Sequence, residues 1–245
     1  MITFSQLGNY GRFGNQLFQI ASTIGIALKN GHDYIFPMWK YSEYFSYPLP
    51  HLNFFGNIEY IDEKFQIIEE TSSGYTEFNL QKNKNYDLKG YFQSYKYFGD
   101  YKEIFLKYFE LNREYTIIPN DNVISIHVRR GDYINLQHIH PILEFEYYKK
   151  AMEHFPNDST FLVFSDDMPW CRKNFRDKNF LFIEDDLIKE FSYMKNCKHN
   201  IIANSSLSWW AAYLNPNPNK IIIAPKVYVL NEKTDDRIPK EWIRI

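Results

Sequence analysis

Three short polar segments each follow an apolar, β-prone run of the sequence. Residues 129–132 (Arg-Arg-Gly-Asp) come after VISIHV, residues 165–167 (Ser-Asp-Asp) come after TFLVF, and residues 204–206 (Asn-Ser-Ser) come after IIA. In open α/β sheets, ligands bind just beyond the carboxyl ends of the strands. If the runs are parallel strands, the three segments line one edge and could together hold an anionic or nucleotide ligand.

The arginine pair is suited to phosphate. A guanidinium group donates two parallel hydrogen bonds and stays charged at physiological pH. Adjacent residues on a strand point to opposite faces, so only one of Arg129 and Arg130 can face a given ligand while the other organises the site from behind. Gly131 permits a backbone turn close to a bulky anion. The alternative is that both arginines form structural ion pairs with carboxylates.

The two aspartates and the Asn-Ser-Ser segment each have more than one interpretation. Asp166 and Asp167 could hold Mg²⁺, could accept the N1–H and amine of guanine, or could form a solvated turn in which Asp167 caps the next helix. Asn204, Ser205 and Ser206 precede a helical pattern, where such residues cap free N–H groups. A helix N-terminus also binds anions, and the two roles are compatible.

Other candidates are weaker. His127, His138 and His140 resemble a zinc set, but no cysteine or fourth ligand lies at usable spacing, so zinc is not predicted. Trp209 and Trp210 could stack on a sugar, although adjacent tryptophans opening a helix of small residues are more often core.

Glycines also precede the first predicted helix. Gly11 and Gly14 form only half of a dinucleotide fingerprint, and Asn15 and Gln16 add two amide side chains there.

The elements that position these residues are clearest after residue 119. Apolar runs alternate with helical stretches, which indicates a doubly wound parallel sheet and a Rossmann-like half. The runs are 123–128, 160–164, 180–183, 201–203 and 220–224, and the helices are near 142–155, 168–175, 187–197 and 206–214. The first half is less regular: we predict a strand at 1–7, a helix from 13 that Gly31 ends, strand candidates at 34–39 and 54–61, and a helix at 101–109.

The lobes are predicted as residues 1–118 and 119–245, with a tail from about 226 that returns to the first lobe. The 245 residues carry a net charge of −2, with 28 basic and 30 acidic side chains, so no global basic field is present to attract nucleic acid or anionic membrane. Two cysteines favour a reducing compartment, and we expect no leader, no transmembrane segment and either a cytoplasmic protein or a catalytic domain of a longer parent.

Five segments together resemble a known family. In order, they are GRFGNQLFQ at 11–19, GYFQSYKYF at 90–98, HVRRGDY at 127–133, FSDDMPWC at 164–171 and HNIIANSSLSWWAAYLN at 199–215. Their order and spacing are similar to those of glycosyltransferase family eleven, the α-1,2-fucosyltransferases. GRFGNQ also resembles a motif of protein O-fucosyltransferases, and HVRR resembles one of α-1,6-fucosyltransferases.

The resemblance implies an α/β, GT-B-like fold of two Rossmann-like lobes facing across a cleft, with an N-terminal acceptor lobe and a C-terminal lobe that binds the GDP-sugar. It implies GDP-β-L-fucose as donor, a glycan acceptor, an α-1,2 linkage to a galactoside formed with inversion, no cofactor and no essential metal. The implied catalytic residues are Arg129, Asn15 and Asp132, and the implied donor-binding residues are His127, Arg130, Gly14, Asp166, Asp167, Asn204, Ser205 and Ser206.

The general base is not singled out: besides Asp132, the candidates are His138, His140, Glu144 and Glu146. Fucosyltransferases of other linkage or with a protein acceptor, and a non-catalytic GDP-sugar or glycan-binding module, remain alternatives.

Overall fold

The computed structural model describes residues 1–51, 65–119, 122–231 and 236–245. The strand candidate at 54–61 lies outside the described residues. The chain divides into two compact units, Met1–Asn112 with Lys233–Ile238, and Arg113–Glu232 with Pro239–Ile245. The predicted lobe boundary after residue 118 lies six residues beyond Asn112. Of the C-terminal residues, 236–238 belong to the first unit and 239–245 to the second.

The first unit is built on a four-stranded, all-parallel sheet with strand order β2-β1-β4-β3. Its strands are β1 (Ile2–Thr3), β2 (Tyr34–Ile35), β3 (Phe65–Glu69) and β4 (Asn85–Lys89). Helix α1 (Phe13–Lys29) connects β1 to β2 and is buried along most of its length. Gly31, with φ of +69°, ends this connection in a conformation that favours glycine.

Several predictions for this unit needed correction. The first strand is shorter than 1–7, and only residues 34–35 of the candidate at 34–39 form a strand, because the pairing stops before Pro37. The helix predicted at 101–109 is a short α-helix, α2 (Lys102–Leu106), between 3-10 turns at Gly99–Tyr101 and Lys107–Phe109. Strands β3 and β4 were not predicted.

The second unit contains a six-stranded parallel sheet with strand order β10-β9-β8-β5-β6-β7. Its strands are β5 (Val123–Val128), β6 (Thr160–Ser165), β7 (Phe180–Phe182), β8 (His199–Ile201), β9 (Ile222–Ala224) and β10 (Ile243–Arg244). All six residues of the central strand β5 are buried, as expected for a strand covered on both faces. The doubly wound parallel sheet predicted from sequence is confirmed.

Four helices of the second unit follow the predicted pattern: α3 (Phe145–Met152), α4 (Met168–Asn174), α5 (Leu187–Asn196) and α6 (Ser206–Tyr213). Strand β8 ends two residues earlier than predicted, so residues 202–205 form the connection to α6. Trp209 and Trp210 have no exposed surface and lie in the core, which excludes sugar stacking on either ring. Within the described residues, no helix is long and apolar enough to cross a membrane.

Candidate active site

The turn after β5 is held by a carboxylate from the next strand. Asp166 Oδ1 accepts hydrogen bonds from the backbone N–H groups of Arg130 at 2.9 Å and Gly131 at 3.2 Å. A Cβ at position 131 would lie 2.5 Å from Asp166 Oδ2, so only glycine lets the turn approach this carboxylate. The sequence predicts a turn at Gly131 close to a bulky anion; in the structure, the anionic group that this turn contacts is the carboxylate of Asp166.

Arg129 lies between two carboxylates and an aromatic ring. Its Nη1 is 2.7 Å from Asp166 Oδ2, and its Nη2 donates to Asp132 Oδ1 at 2.5 Å. The guanidinium carbon is 5.2 Å from the ring centroid of Tyr133. The Arg129 side chain is 16% exposed. These contacts fix the plane of the guanidinium group, and both Nη atoms are paired with carboxylates, so a bidentate interaction with an anion requires that one carboxylate be displaced.

Arg130 points into a different environment. Its guanidinium carbon lies 4.3 Å from the ring centroid of Trp170, Nε is 3.4 Å from Asp167 Oδ2, and Nη1 is 3.5 Å from Glu144. Asp167 is also the N-cap of α4, accepting a hydrogen bond from the backbone N–H of Trp170 at 3.2 Å. Asp167 therefore caps the helix, as one of the sequence alternatives held, and its second oxygen pairs with Arg130.

His127 is buried within β5 and faces α6. Its Nδ1 is 2.9 Å from Ser208 Oγ, and Ser208 Oγ donates to the Ser205 carbonyl at 3.3 Å. Burial, assisted by the charge of Arg129, lowers the pKa of His127 to about 4. The imidazole is therefore neutral near pH 7, with Ser208 as a fixed hydrogen-bond partner.

The segment before α6 combines a rigid loop with a helix N-terminus. The fully buried Asn204 side chain donates to the carbonyls of Pro141 at 3.0 Å and Tyr228 at 3.2 Å, so this amide anchors two loops. Ser205 is the N-cap residue, and its own side chain makes no capping hydrogen bond to α6. The backbone N–H groups of the first turn, and the adjoining Ser206, are thus positioned as in an anion site.

Tyr133 links the arginine turn to this loop. Its hydroxyl donates to the Asn204 carbonyl at 3.0 Å, and its ring stacks on His140 with centroids 4.1 Å apart. Arg129 lies over the same ring. These contacts join the carboxyl ends of β5 and β8, which explains how the sheet brings the predicted arginine and serine segments to one edge.

The general-base candidates separate into two groups. Glu144 contacts Arg130 and is part of the cluster, and His140 is reached through Tyr133. Glu146 pairs with Lys150 on α3 at 3.9 Å, and His138 is exposed. No group of three or more His, Cys, Asp or Glu side chains within the described ranges is arranged to hold a metal ion.

Asn15 and Gly14 lie in the first unit, in the first turn of α1. Gly14 is buried, and Asn15 Oδ1 accepts a hydrogen bond from Gln93 Nε2 at 2.8 Å. Gln93 follows β4, so the two amides connect the carboxyl ends of β1 and β4 within this unit.

Sequence reasoning missed four side chains of these clusters: Tyr133, Trp170, Ser208 and Gln93. All four lie within the five quoted segments, so spacing from the arginines and from Asn15 was the available signal. Glu190, in the first turn of α5, was also missed. Burial raises its pKa to about 7, and it accepts a hydrogen bond from the backbone N–H of Asp185.

Comparison with known proteins assigns the family. The model of glycosyl transferase family 11 matches residues 6–245, nearly the whole chain. The chain belongs to glycosyl transferase family 11. The family predicted from the five segments is thereby confirmed.

Relatives of this family 11 chain include two proteins of Escherichia coli. The O-antigen biosynthesis glycosyltransferase WbnK is 30% identical over 189 residues, which cover 68% of this chain and 63% of the relative. An alpha-1,2-colitosyltransferase is 33% identical over 180 residues, covering 64% of this chain and 61% of the relative. Galactoside alpha-(1,2)-fucosyltransferase 2 of Mus musculus is 24% identical over 85% of this chain and 67% of that protein. The chain thus spans about three fifths of the length of the two bacterial relatives.

Among solved structures, the fucosyltransferase NodZ from Bradyrhizobium superposes with a TM-score of 0.53 at 13% identity, over 90% of this chain and 95% of that chain. At this identity the similarity concerns the fold alone. Together with the two all-parallel sheets, it confirms the predicted α/β, GT-B-like class.

Proposed function

We propose that this family 11 chain transfers L-fucose from GDP-β-L-fucose to a galactoside hydroxyl, with inversion and an α-1,2 linkage. The observation that carries the proposal is Arg129, whose guanidinium group is oriented at the carboxyl end of β5, on the same sheet edge as the N-terminus of α6. A guanidinium group and a helix N-terminus at one edge form a site for a diphosphate. Family membership supplies the reaction class, and the mouse relative's name supplies the linkage.

Donor binding has to rearrange the cluster. Two guanidinium groups are surrounded by four carboxylates, those of Asp132, Asp166, Asp167 and Glu144. Asp166 is held by two backbone N–H groups, whereas Asp132 is the more exposed partner of Arg129, at 38% against 27%. The phosphates therefore displace Asp132 from Arg129, and Asp166 keeps the guanidinium group in place.

The chemical step is a single displacement. The acceptor oxygen bonds to the anomeric carbon as the bond from that carbon to the β-phosphate oxygen breaks, and GDP leaves with the electron pair. Arg129 and the α6 terminus stabilise the charge that builds on the leaving phosphate, which is the work a divalent metal does in other transferases. We therefore propose that no metal is essential.

The acceptor proton requires a base. Among the described contacts, Glu144 and Asp132 are the base candidates that touch the arginines directly. We assign the role to one of these two carboxylates. Buried His127, neutral and bonded to Ser208, is assigned to positioning the strand end beside the nucleotide.

A second candidate is transfer of colitose, which is fucose without its 3-hydroxyl group. The 33% identical relative named alpha-1,2-colitosyltransferase favours this alternative. The two donors share the GDP group and differ only at the sugar, so both are compatible with the same phosphate site.

Equilibrium binding tests the donor site. We expect the protein to bind GDP in preference to UDP with EDTA present, and Arg129→Ala to weaken GDP binding strongly. Arg172→Ala is the matched control, because Arg172 forms an exposed pair with Glu184 on the same unit. Equal affinity for GDP and UDP, or equal loss in both variants, would contradict the assignment. Parallel turnover with GDP-fucose and GDP-colitose decides between the two sugars.

A further inference from the structure

The sheet of the first unit has its own topological switch point. From β1 the chain crosses through α1 to β2 on one side, whereas β4 and β3 lie on the other side of β1. Connections that diverge in this way leave a crevice between the carboxyl ends of the two central strands, and ligands of open α/β sheets bind there. Residues 4–12 follow β1 and residues 90–94 follow β4.

Each of these segments contributes one tyrosine to an aromatic pair. The rings of Tyr10 and Tyr91 lie with centroids 4.8 Å apart and an interplanar angle of 35°. The Tyr91 side chain is 42% exposed. The pair is therefore a solvent-accessible aromatic surface at the switch point.

Polar side chains, one of them buried, hold both segments. Gln19, fully buried in α1, donates through Nε2 to the carbonyls of Tyr10 at 2.9 Å and Gly90 at 3.3 Å. Glu70 accepts hydrogen bonds from the backbone N–H groups of Tyr91 at 2.7 Å and Phe92 at 2.8 Å. The aromatic surface is preorganised, because hydrogen bonds from Gln19 and to Glu70 fix the backbone that carries both rings.

The backbone beneath Tyr91 is strained. The fully buried Phe92 has φ of +49°, a conformation that is uncommon for a bulky residue, and its carbonyl accepts a hydrogen bond from Ser22 Oγ at 2.8 Å. Gly90 has φ of +150°, and a Cβ there would lie 2.4 Å from Glu70 Cβ. Strain of this kind persists where the surrounding structure over-determines it, and it concentrates at ligand sites.

An amide pair flanks the aromatic surface. Gln93, two residues after Tyr91, donates to Asn15 in the first turn of α1. An aromatic face beside amide groups matches the two kinds of surface on a pyranose ring, an apolar C–H face and a rim of hydroxyl groups. A flat apolar ligand would form no hydrogen bonds with the amides, and a phosphate would not stack on the rings.

We propose that Tyr10 and Tyr91 form the platform on which the acceptor's pyranose ring stacks, with Gln93 and Asn15 contacting its hydroxyl groups. The inference rests on the proposed function, and it adds the location of the acceptor subsite within the first unit. The sugar expected there is the β-galactoside.

Steady-state kinetics with lactose as acceptor test the platform. Tyr91→Leu and Tyr91→Ala are expected to raise the KM for lactose about 10-fold, equal to about 1.4 kcal/mol. Because stacking binds the ground state and the transition state alike, kcat changes little. Tyr91→Phe keeps the ring and is expected to restore much of the affinity lost in Tyr91→Leu. Tyr47→Ala is the control, since Tyr47 is a 50% exposed tyrosine elsewhere in the unit.

The outcomes separate the two proposals. Fucose transfer with an unchanged KM for lactose in Tyr91→Leu, or a change in the KM for GDP-fucose instead, overturns the platform and leaves the proposed function standing. Absence of transfer by the wild type counts against the proposed function, and lactose binding is then measured by saturation-transfer NMR. Binding lost in Tyr91→Leu but kept in Tyr47→Ala supports the platform; no binding, or binding that survives in Tyr91→Leu, overturns it.

Discussion

Replacement of Asp166 distinguishes a structural role in the turn after β5 from a role in binding the guanine base. Its Oδ1 holds the backbone N–H groups of Arg130 and Gly131, and its Oδ2 pairs with Arg129. Asp166→Ala removes all three contacts. Asp166→Asn keeps an Oδ1 acceptor for the turn and removes the charge that faces Arg129.

The contacts set the size of the effect. Hydrogen bonds to a charged group contribute about 1.5–3 kcal/mol each. The turn is partly solvated, so the low end applies, and we expect a loss of about 3 kcal/mol for Asp166→Ala. Asp166→Asn loses mainly an ion pair between partly exposed groups, about 1 kcal/mol. At about 2–4 °C per kcal/mol for a chain of this size, the melting temperatures fall by about 6–12 °C and about 2–4 °C.

Tryptophan fluorescence is a suitable assay, because four of the five tryptophans lie in the second unit; they are Trp170, Trp209, Trp210 and Trp242. Asp177→Ala, at an exposed position of the same unit, should change the melting temperature little. Ligand binding adds the second readout. If Asp166 positions Arg129, Asp166→Asn weakens the binding of GDP and of inosine diphosphate equally. Inosine diphosphate lacks the exocyclic amine, so a loss of affinity for GDP alone would refute the reasoning and assign Asp166 to guanine recognition.

Four further predictions follow from the second unit. Arg129→Ala should lower kcat/KM for transfer by about 10²–10³-fold and the melting temperature by no more than about 4–8 °C, because two ion pairs of partly exposed groups are lost; wild-type turnover would remove Arg129 from the mechanism. Asp132→Asn should bind GDP about two- to fivefold more tightly by calorimetry, because a competing ion pair is lost; weaker binding would contradict displacement of Asp132. The pKa of His127 is about 4 when folded and 6.5 when unfolded, so its contribution to stability is full above pH 6.5 and is lost towards pH 4. In urea unfolding, the stability of the wild type relative to His127→Asn should fall by about 2 kcal/mol between pH 7 and 5. Burial raises the pKa of Glu190 from 4.5 to about 7, so ionisation of this carboxyl lowers the stability of the folded state as the pH rises. Glu190→Gln should therefore gain stability over the wild type between pH 5 and 8. An equal stability difference at both pH values would argue against a buried carboxyl.

The second unit was largely predictable from sequence because its strands are short, continuous apolar runs bounded by polar turns. VISIHV and TFLVF became β5 and β6 with nearly the predicted bounds. In the first unit, Asn85–Lys89 reads as a polar segment, and its strand depends on long-range pairing with β1 and β3. Local pattern carries no information about such pairing, so β3 and β4 were missed.

At the site, the sequence predicted which segments meet and could not predict the contacts. That Arg129, Asp166 and Ser205 share one edge follows from parallel strands. That Asp166 holds the turn of Gly131 depends on backbone hydrogen bonds of 2.9 and 3.2 Å to its Oδ1, which only coordinates reveal. Equally, Tyr10 and Tyr91 are 81 residues apart in a chain with 20 tyrosines, and only the order of β1 and β4 makes them neighbours.

Transfer itself is the most direct test of the proposed activity. The protein is incubated with GDP-fucose, a panel of β-galactosides that includes lactose, and excess EDTA, and the products are analysed by mass spectrometry and linkage mapping. We predict a product heavier by one deoxyhexose residue, α-1,2-linked to galactose, that is absent with Arg129→Ala and present with Arg172→Ala. The account would be contradicted if no acceptor gave a product and no GDP were released from GDP-fucose, with or without a divalent metal.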